Sequence, residues 1–207
     1  MSLPDSVSMA RRTIPLVFVV DVSGSMAADA KIQSLNAAME EALPSLRRSA
    51  DDLVGFDVVV SVVTFATSAS LNGVERVPLQ DFRWPDLEAE DQGLTELGAA
   101  LDLVMTWPPP SDRELPPAIV LLTDGMPSDT LAPSFADALE AMSADPVLAS
   151  AQRTAVAIGA DADRQALARF VEPSGGDVLR ADSPEQLAQV VRFAGTAVLQ
   201  AASEPIW

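Results

Sequence analysis

Two short apolar runs, each stopped by an aspartate, constrain this chain more than any other feature. IPLVFVV fills residues 14–20 and stops at Asp21; AIVLLT fills 118–123 and stops at Asp124. Continuous apolar runs rich in β-branched residues, with no polar alternation, mark strands covered on both faces. FDVVVSVVTFA at 56–66 is a third. Between the first two, Ile32, Leu35, Met39, Leu43 and Leu46 recur at intervals of three and four. That spacing predicts a helix over 30–48 with one apolar stripe, and Pro44 should kink or divide its last turns.

The rest of the chain continues the alternation. Helices are predicted from Thr95 to about Met105, with Leu97, Leu101, Val104 and Met105 facing inward, and at 133–144, 163–171 and 184–201. Strands are predicted at 153–159 and 177–180. A weaker segment at 71–78, with Asn72-Gly73 as a turn signal, supplies an edge strand. Residues 79–93 read as a polar surface loop, and the proline-rich stretch 107–117 as a stiff connector. Gly175-Gly176 reads as a turn. Ser183, Pro184 and Gln186 mark the start of the last helix as a capping box.

Strand then helix, repeated, implies an α/β, Rossmann-like, doubly wound fold. Its sheet is mostly parallel, with helices on both faces and one short antiparallel edge strand. One domain is expected over 13–202, between tails at 1–12 and 203–207. Ligands of such sheets sit beyond the carboxyl ends of the strands, near the switch in strand order. Asp21 and Asp124 both stand at such ends.

Around Asp21 the sequence reads Asp21-Val22-Ser23-Gly24-Ser25. A carboxylate at the end of a buried strand is costly unless it is paired or bound to a cation. Ser23 and Ser25 add two hydroxyls at alternate positions, and Gly24 permits the bend that turns all three toward one point. Oxygen-only donors suit a hard cation, which takes about six in the case of Mg²⁺. Asp124, on a strand expected beside the first, and Thr95, at the head of a helix, can supply two more. Five side chains then leave one coordination position for an outside ligand. The competing reading is that Asp21, Ser23 and Ser25 merely cap the first helix.

Composition removes several other chemistries. The chain has no histidine and no cysteine, which excludes Ser-His-Asp and Cys-His catalysis, imidazole or thiolate metal sites, and disulfides. Its formal charge is −17, with Lys31 the sole lysine. Such a charge argues against gripping nucleic acid or anionic lipid through the overall field. The acidic surface serves either solubility or a basic partner. No apolar run approaches the roughly 20 residues needed to cross a bilayer, and the first dozen residues lack a secretory pattern. A cytoplasmic protein, not bound to a membrane, is expected.

The string DVSGS, Thr95 within GLTELG, and Asp124 within LLTDGMPSD together resemble the metal-ion-dependent adhesion site of von Willebrand factor A domains. The likeness covers about 14–199. The TDGxPxD string at 123–129 is most similar to bacterial TerY-type proteins, which are associated with tellurium resistance and stress response. The family usually carries Gly-Gly-Thr where this chain has Gly93-Leu94-Thr95, so the backbone at Leu94 has to accommodate a side chain.

The resemblance implies one Mg²⁺ or Mn²⁺, with Ca²⁺ as a third option, held by Asp21, Ser23, Ser25, Thr95 and Asp124. The hydroxyls bind directly, and the carboxylates directly or through water. A partner protein's Asp or Glu completes the shell. Two carboxylates against a divalent ion leave it attraction for one more anionic oxygen. The chain is then a binding adaptor with no catalytic residues.

A metal-dependent hydrolase, such as a phosphatase, is the rival. It lacks an evident general base and the usual Lys or Arg clamps: the single lysine lies in the first helix, and no arginine is close in sequence to a ligand. A nucleotide-binding reading is weaker, since DVSGSM is neither GxGxxG nor a P-loop. Asp29, Asp91 and Asp129 read as solvated loop acids, with a supporting role at the metal open to Asp129. Met126 and Leu94 flank the centre, either as an apolar rim for a partner or as ordinary packing.

Overall fold

The computed structural model describes residues 11–106, 111–128, 130–160 and 162–203. The three apolar runs become strands β1 (Arg12–Asp21), β2 (Phe56–Phe65) and β5 (Ala118–Thr123). They are joined by β6 (Gln152–Ile158), β7 (Val178–Ala181) and two short pieces, β3 (Ala69–Ser70) and β4 (Val77–Pro78). The spatial order is β3-β2-β1-β5-β6-β7, with β4 also on β2. The β1–β2, β1–β5, β5–β6 and β6–β7 pairs are parallel. β3 and β4 are antiparallel to β2, so the predicted edge strand is present as two fragments around the Asn72-Gly73 turn.

Strand alternation divides the core in two. Ile14, Leu16, Phe18 and Val20 of β1 face one layer with α1 (Lys31–Asp51) and α5 (Pro184–Ser203). Val17 and Val19 face the other, with α2 (Leu97–Met105), α3 (Phe135–Ala144) and α4 (Arg164–Val171). Both faces of the central strands are therefore covered, which is why their sequences show no polar alternation.

Three local expectations are revised. α1 runs unbroken through Pro44 to Asp51. The proline removes one amide donor, but Leu46 and Ala50 are buried on the stripe beyond it and hold the last turns in place. Residues 79–93 form the expected irregular surface segment, but it is not wholly solvated: Leu79, Phe82, Trp84 and Leu87 are buried in the α1 layer. The Asn36 side chain accepts from Trp84 Nε1 (3.0 Å) and the Leu87 amide (3.2 Å), and donates to the Leu87 carbonyl (2.8 Å). At the start of α5 the Ser183 hydroxyl accepts from the Gln186 amide (3.3 Å), but Gln186 Oε1 accepts from the amide of Asp182.

The chain leaves β1 for β2 on one side, then crosses to β5 on the other. The switch in strand order therefore falls between β1 and β5, whose carboxyl ends carry Asp21 and Asp124. A crevice for a ligand opens at that point in sheets of this type.

Candidate metal centre

Asp21 is the last residue of β1 and is fully buried. Its Oδ1 accepts from the Ser23 amide (2.8 Å), and its Oδ2 accepts from the Thr123 hydroxyl. Ser23 Oγ lies 3.1 Å from Ser25 Oγ, and Ser25 Oγ donates to Asp124 Oδ1 at 2.7 Å. One chain of polar contacts thus joins Asp21, Ser23, Ser25 and Asp124 across 99 residues of sequence separation.

These residues do not cap a helix. Gly24–Ala30 forms a 3₁₀ segment broken at Ala28 and Asp29, and neither it nor α1 receives a side-chain cap. With capping set aside, the Ser25 hydroxyl is turned onto Asp124 and the Ser23 hydroxyl lies against that of Ser25.

Thr95 reaches the centre from a different loop. The Gly24 amide donates to the Gly93 carbonyl (3.1 Å), and the Glu90 amide to the Val22 carbonyl (2.7 Å). A Cβ on Gly24 would stand 3.1 Å from the Gln92 nitrogen, so a side chain there would push these two closely approaching loops slightly apart. Thr95 and Ser128 exchange contacts, Thr95 N–H to Ser128 Oγ and Ser128 N–H to the Thr95 carbonyl, both 2.9 Å. Thr95 Oγ1 and Asp21 Oδ2 each lie within 4 Å of the point where a Cβ on Gly125 would stand. All five predicted residues are therefore gathered at one rim. Leu94 is not among the residues with positive φ, so its backbone takes a side chain without strain.

Four further residues belong to the centre and were not singled out from sequence. Thr123 donates to Asp21 and accepts from the Gly125 amide (3.2 Å). Ser128 fixes Thr95. Glu96, buried beside Thr95, accepts from the amide and hydroxyl of Thr130 and the amide of Leu131. Lys31 Nζ donates to Asp124 Oδ2 at 2.6 Å, with the Asp124 side chain buried. Its signal was available: the sole lysine follows Ser25 by six residues, and the broken 3₁₀ segment turns it back. Asp29 and Asp91 are exposed, as expected; Asp129 lies outside the described residues.

The electrostatics favour a cation at this rim. Of the centre's three buried carboxylates, Glu96 is occupied by Thr130 and Leu131, and Asp21 and Asp124 have one ammonium between them, which sits on Asp124. Burial pushes the Asp21 carboxyl above its ordinary value; its hydrogen bonds from Ser23 and Thr123 oppose the shift, and the charge of Asp124 adds to it. Among the described residues no cluster of three or more acidic, histidine or cysteine side chains gathers around one point. A cation bound here would be served by the carboxylates of Asp21 and Asp124 and the hydroxyls of Ser23, Ser25 and Thr95. Such a set fits a hard divalent ion, which accepts neutral oxygens readily.

The von Willebrand factor type A domain family model matches residues 14–178. The chain belongs to that family. No curated protein sequence is significantly similar to it. Among solved structures it is similar to a von Willebrand factor type A protein from Catenulispora acidiphila, at 19% identity and a TM-score of 0.65 over 91% of this chain and 43% of that one. It is also similar to the proximal thread matrix protein 1 of the mussel byssus with a zinc-occupied MIDAS motif. The identity there is 16% and the TM-score 0.66, over 93% of this chain and 47% of the other. The ArnB paralog VWA2 of Sulfolobus acidocaldarius matches at 20% identity and a TM-score of 0.57, over 85% and 43%. The chain thus spans less than half the length of these three structures. At such identities the likeness establishes the von Willebrand factor A fold: a mostly parallel sheet with antiparallel pieces at one edge and helices on both faces.

Proposed function

We propose that this chain is a metal-dependent protein-binding module. Asp21, Ser23, Ser25, Thr95 and Asp124 hold one Mg²⁺ or Mn²⁺, with Ca²⁺ the alternative, and a partner's Asp or Glu supplies the last ligand. The observation that carries the reading is the pair of buried carboxylates sharing a single lysine, ringed by three hydroxyls at the switch point of the sheet. The zinc-occupied MIDAS motif of the mussel relative supports a divalent ion in this fold. With the ion bound, its two positive charges and Lys31 face the carboxylates of Asp21 and Asp124, with Glu96 turned onto Thr130 and Leu131, leaving net attraction for one anionic oxygen at the ion. The chain's own residues orient and hold; the ion supplies the electrophilic contact. No helix among the described residues is long and apolar enough to cross a membrane, and we place the module in the cytoplasm. The TDGMPSD string at 123–129 supports a role in a tellurium-resistance or stress-response system.

Partner capture in Mg²⁺, release by EDTA and loss in Asp21→Ala test this reading. A partner retained by Asp21→Ala, or held in EDTA, overturns it.

One observation favours the rival hydrolase. The single lysine, Lys31 of the first helix, lies against Asp124 at the centre. Its ammonium is spent on that carboxylate, which favours the binding role. Turnover of phosphate esters in Mg²⁺ or Mn²⁺, abolished by Asp21→Ala, would replace the binding reading with the enzymatic one.

A further inference from the structure

Only five large apolar side chains are well exposed among the described residues: Val54, Leu94, Met126, Leu131 and Phe193. Val54 lies in the turn before β2, at the opposite end of the sheet from the metal centre, and Phe193 lies on α5. The other three are at the centre itself. Leu94 precedes Thr95, Met126 follows Asp124 by two residues, and the Leu131 amide is bonded to Glu96. Scattered exposed apolar residues need no explanation, but a concentration of them beside a charged site does.

We propose that Leu94, Met126 and Leu131 form an apolar contact patch on the open side of the metal centre. It takes a polypeptide segment whose metal-seeking Asp or Glu is flanked by bulky apolar side chains and by no second acid. This rests on the binding function proposed above and names the chemistry of its partner.

Three observations support it. The side chains are 40%, 65% and 50% exposed respectively, so packing within the chain does not account for them. Their loops are tied down by hydrogen bonds. The Leu94 amide donates to Thr67 Oγ1 (3.2 Å), Thr95 and Ser128 are doubly bonded, and Glu96 grips Thr130 and Leu131. A patch ordered in advance loses little conformational freedom when a partner covers it. Finally, the formal charge of −17 repels a broadly acidic partner at long range. A lone carboxylate in an apolar setting reaches the metal without that repulsion, and its neighbours supply affinity through burial.

The test is selection of random displayed peptides on the full chain in Mg²⁺, with elution by EDTA so that only metal-dependent binders are recovered. The expected peptides carry a single Asp or Glu with Leu, Ile, Met, Phe or Trp about one or two positions away. Synthetic copies should bind the triple variant L94S/M126S/L131S at least about tenfold more weakly than the parent chain, a loss of about 1.4 kcal/mol. The Mg²⁺-induced thermal shift of that variant should be unchanged, since none of the three is a ligand. Recovery of acids in purely polar surroundings, or equal affinity for parent and variant, overturns the patch and leaves the metal-dependent function standing. Failure of EDTA to release any peptide overturns both.

Discussion

Asp21 sits fully buried with two hydrogen bonds and, among the described residues, no cationic side chain in an ion pair with it. Because burial raises its folded-state pKa, the metal-free native state binds a proton there more readily than the unfolded chain does. Its contribution to stability is therefore fully present below the ordinary carboxylate value and is lost as pH rises through the raised one. Asn at this position keeps an acceptor for the Ser23 amide and offers its amide to the Thr123 hydroxyl, without the charge. Metal-free Asp21→Asn should equal or exceed the parent in stability at pH 7, and the advantage should vanish near pH 4. Urea unfolding in EDTA at the two pH values measures it, and the variant's Mg²⁺ response should be absent.

Lys31 makes the complementary case. Removing it strands a buried Asp124 carboxylate, so Lys31→Met should cost about 1–3 kcal/mol without metal, discounted from a fully buried pair because the lysine is partly exposed. A divalent ion restores the missing charge. The Mg²⁺-induced rise in Tm should therefore be larger in Lys31→Met than in the parent chain; an equal or smaller rise would mean that the lysine is not the ion's electrostatic competitor. The gathering of the five candidate ligands was legible because each type of donor sits at or just beyond a predicted strand end or helix head. Thr123 was not, and Lys31 only through its closeness to Ser25, because their roles depend on side-chain direction, which neither apolar periodicity nor composition encodes.

At the level of elements, the strands and helices were largely readable and the connections were not. β1, β2 and β5 announce themselves because burial on both faces forbids polar alternation. Residues 79–93 concealed their burial because Leu79, Phe82, Trp84 and Leu87 follow no regular period and stand among charged neighbours. Yet this segment delivers Thr95. Asn36 on α1 anchors it through both its oxygen and its amide, to Trp84, Asp86 and Leu87. Asn36→Ala leaves those groups without their partner, at a cost of about 2–3 kcal/mol. It should also weaken Mg²⁺ binding severalfold, though it touches no ligand, because the loop that positions Thr95 is no longer pinned. Calorimetric titration with Mg²⁺ reads the affinity and thermal unfolding the stability. A stability loss with unchanged affinity would show that Thr95 is held by Ser128 and the Gly24–Gly93 contact alone.

For the whole molecule, the alternation of strand and helix predicts a doubly wound sheet, and that topology fixes where two aspartates 103 residues apart can meet. What alternation does not predict is how an acidic molecule confines a cation to one place. A formal charge of −17 draws divalent ions to the entire surface, so binding alone is weak proof of a specific centre. The two modes differ in their coupling to folding. An ion held by Asp21, Asp124 and the loop hydroxyls binds only the native chain, and at about a hundredfold excess over Kd it stabilises by about 2.7 kcal/mol. In a domain of this size that amounts to a Tm rise of about 5–10 °C. Diffuse ions screen folded and unfolded chains alike and raise Tm much less. The rise in millimolar Mg²⁺ should persist in moderate KCl, because a buried centre is poorly screened, and should be abolished by Asp21→Ala. A rise that salt removes, or that Asp21→Ala retains, would assign the ion to the acidic surface and take the metal away from the rim between β1 and β5.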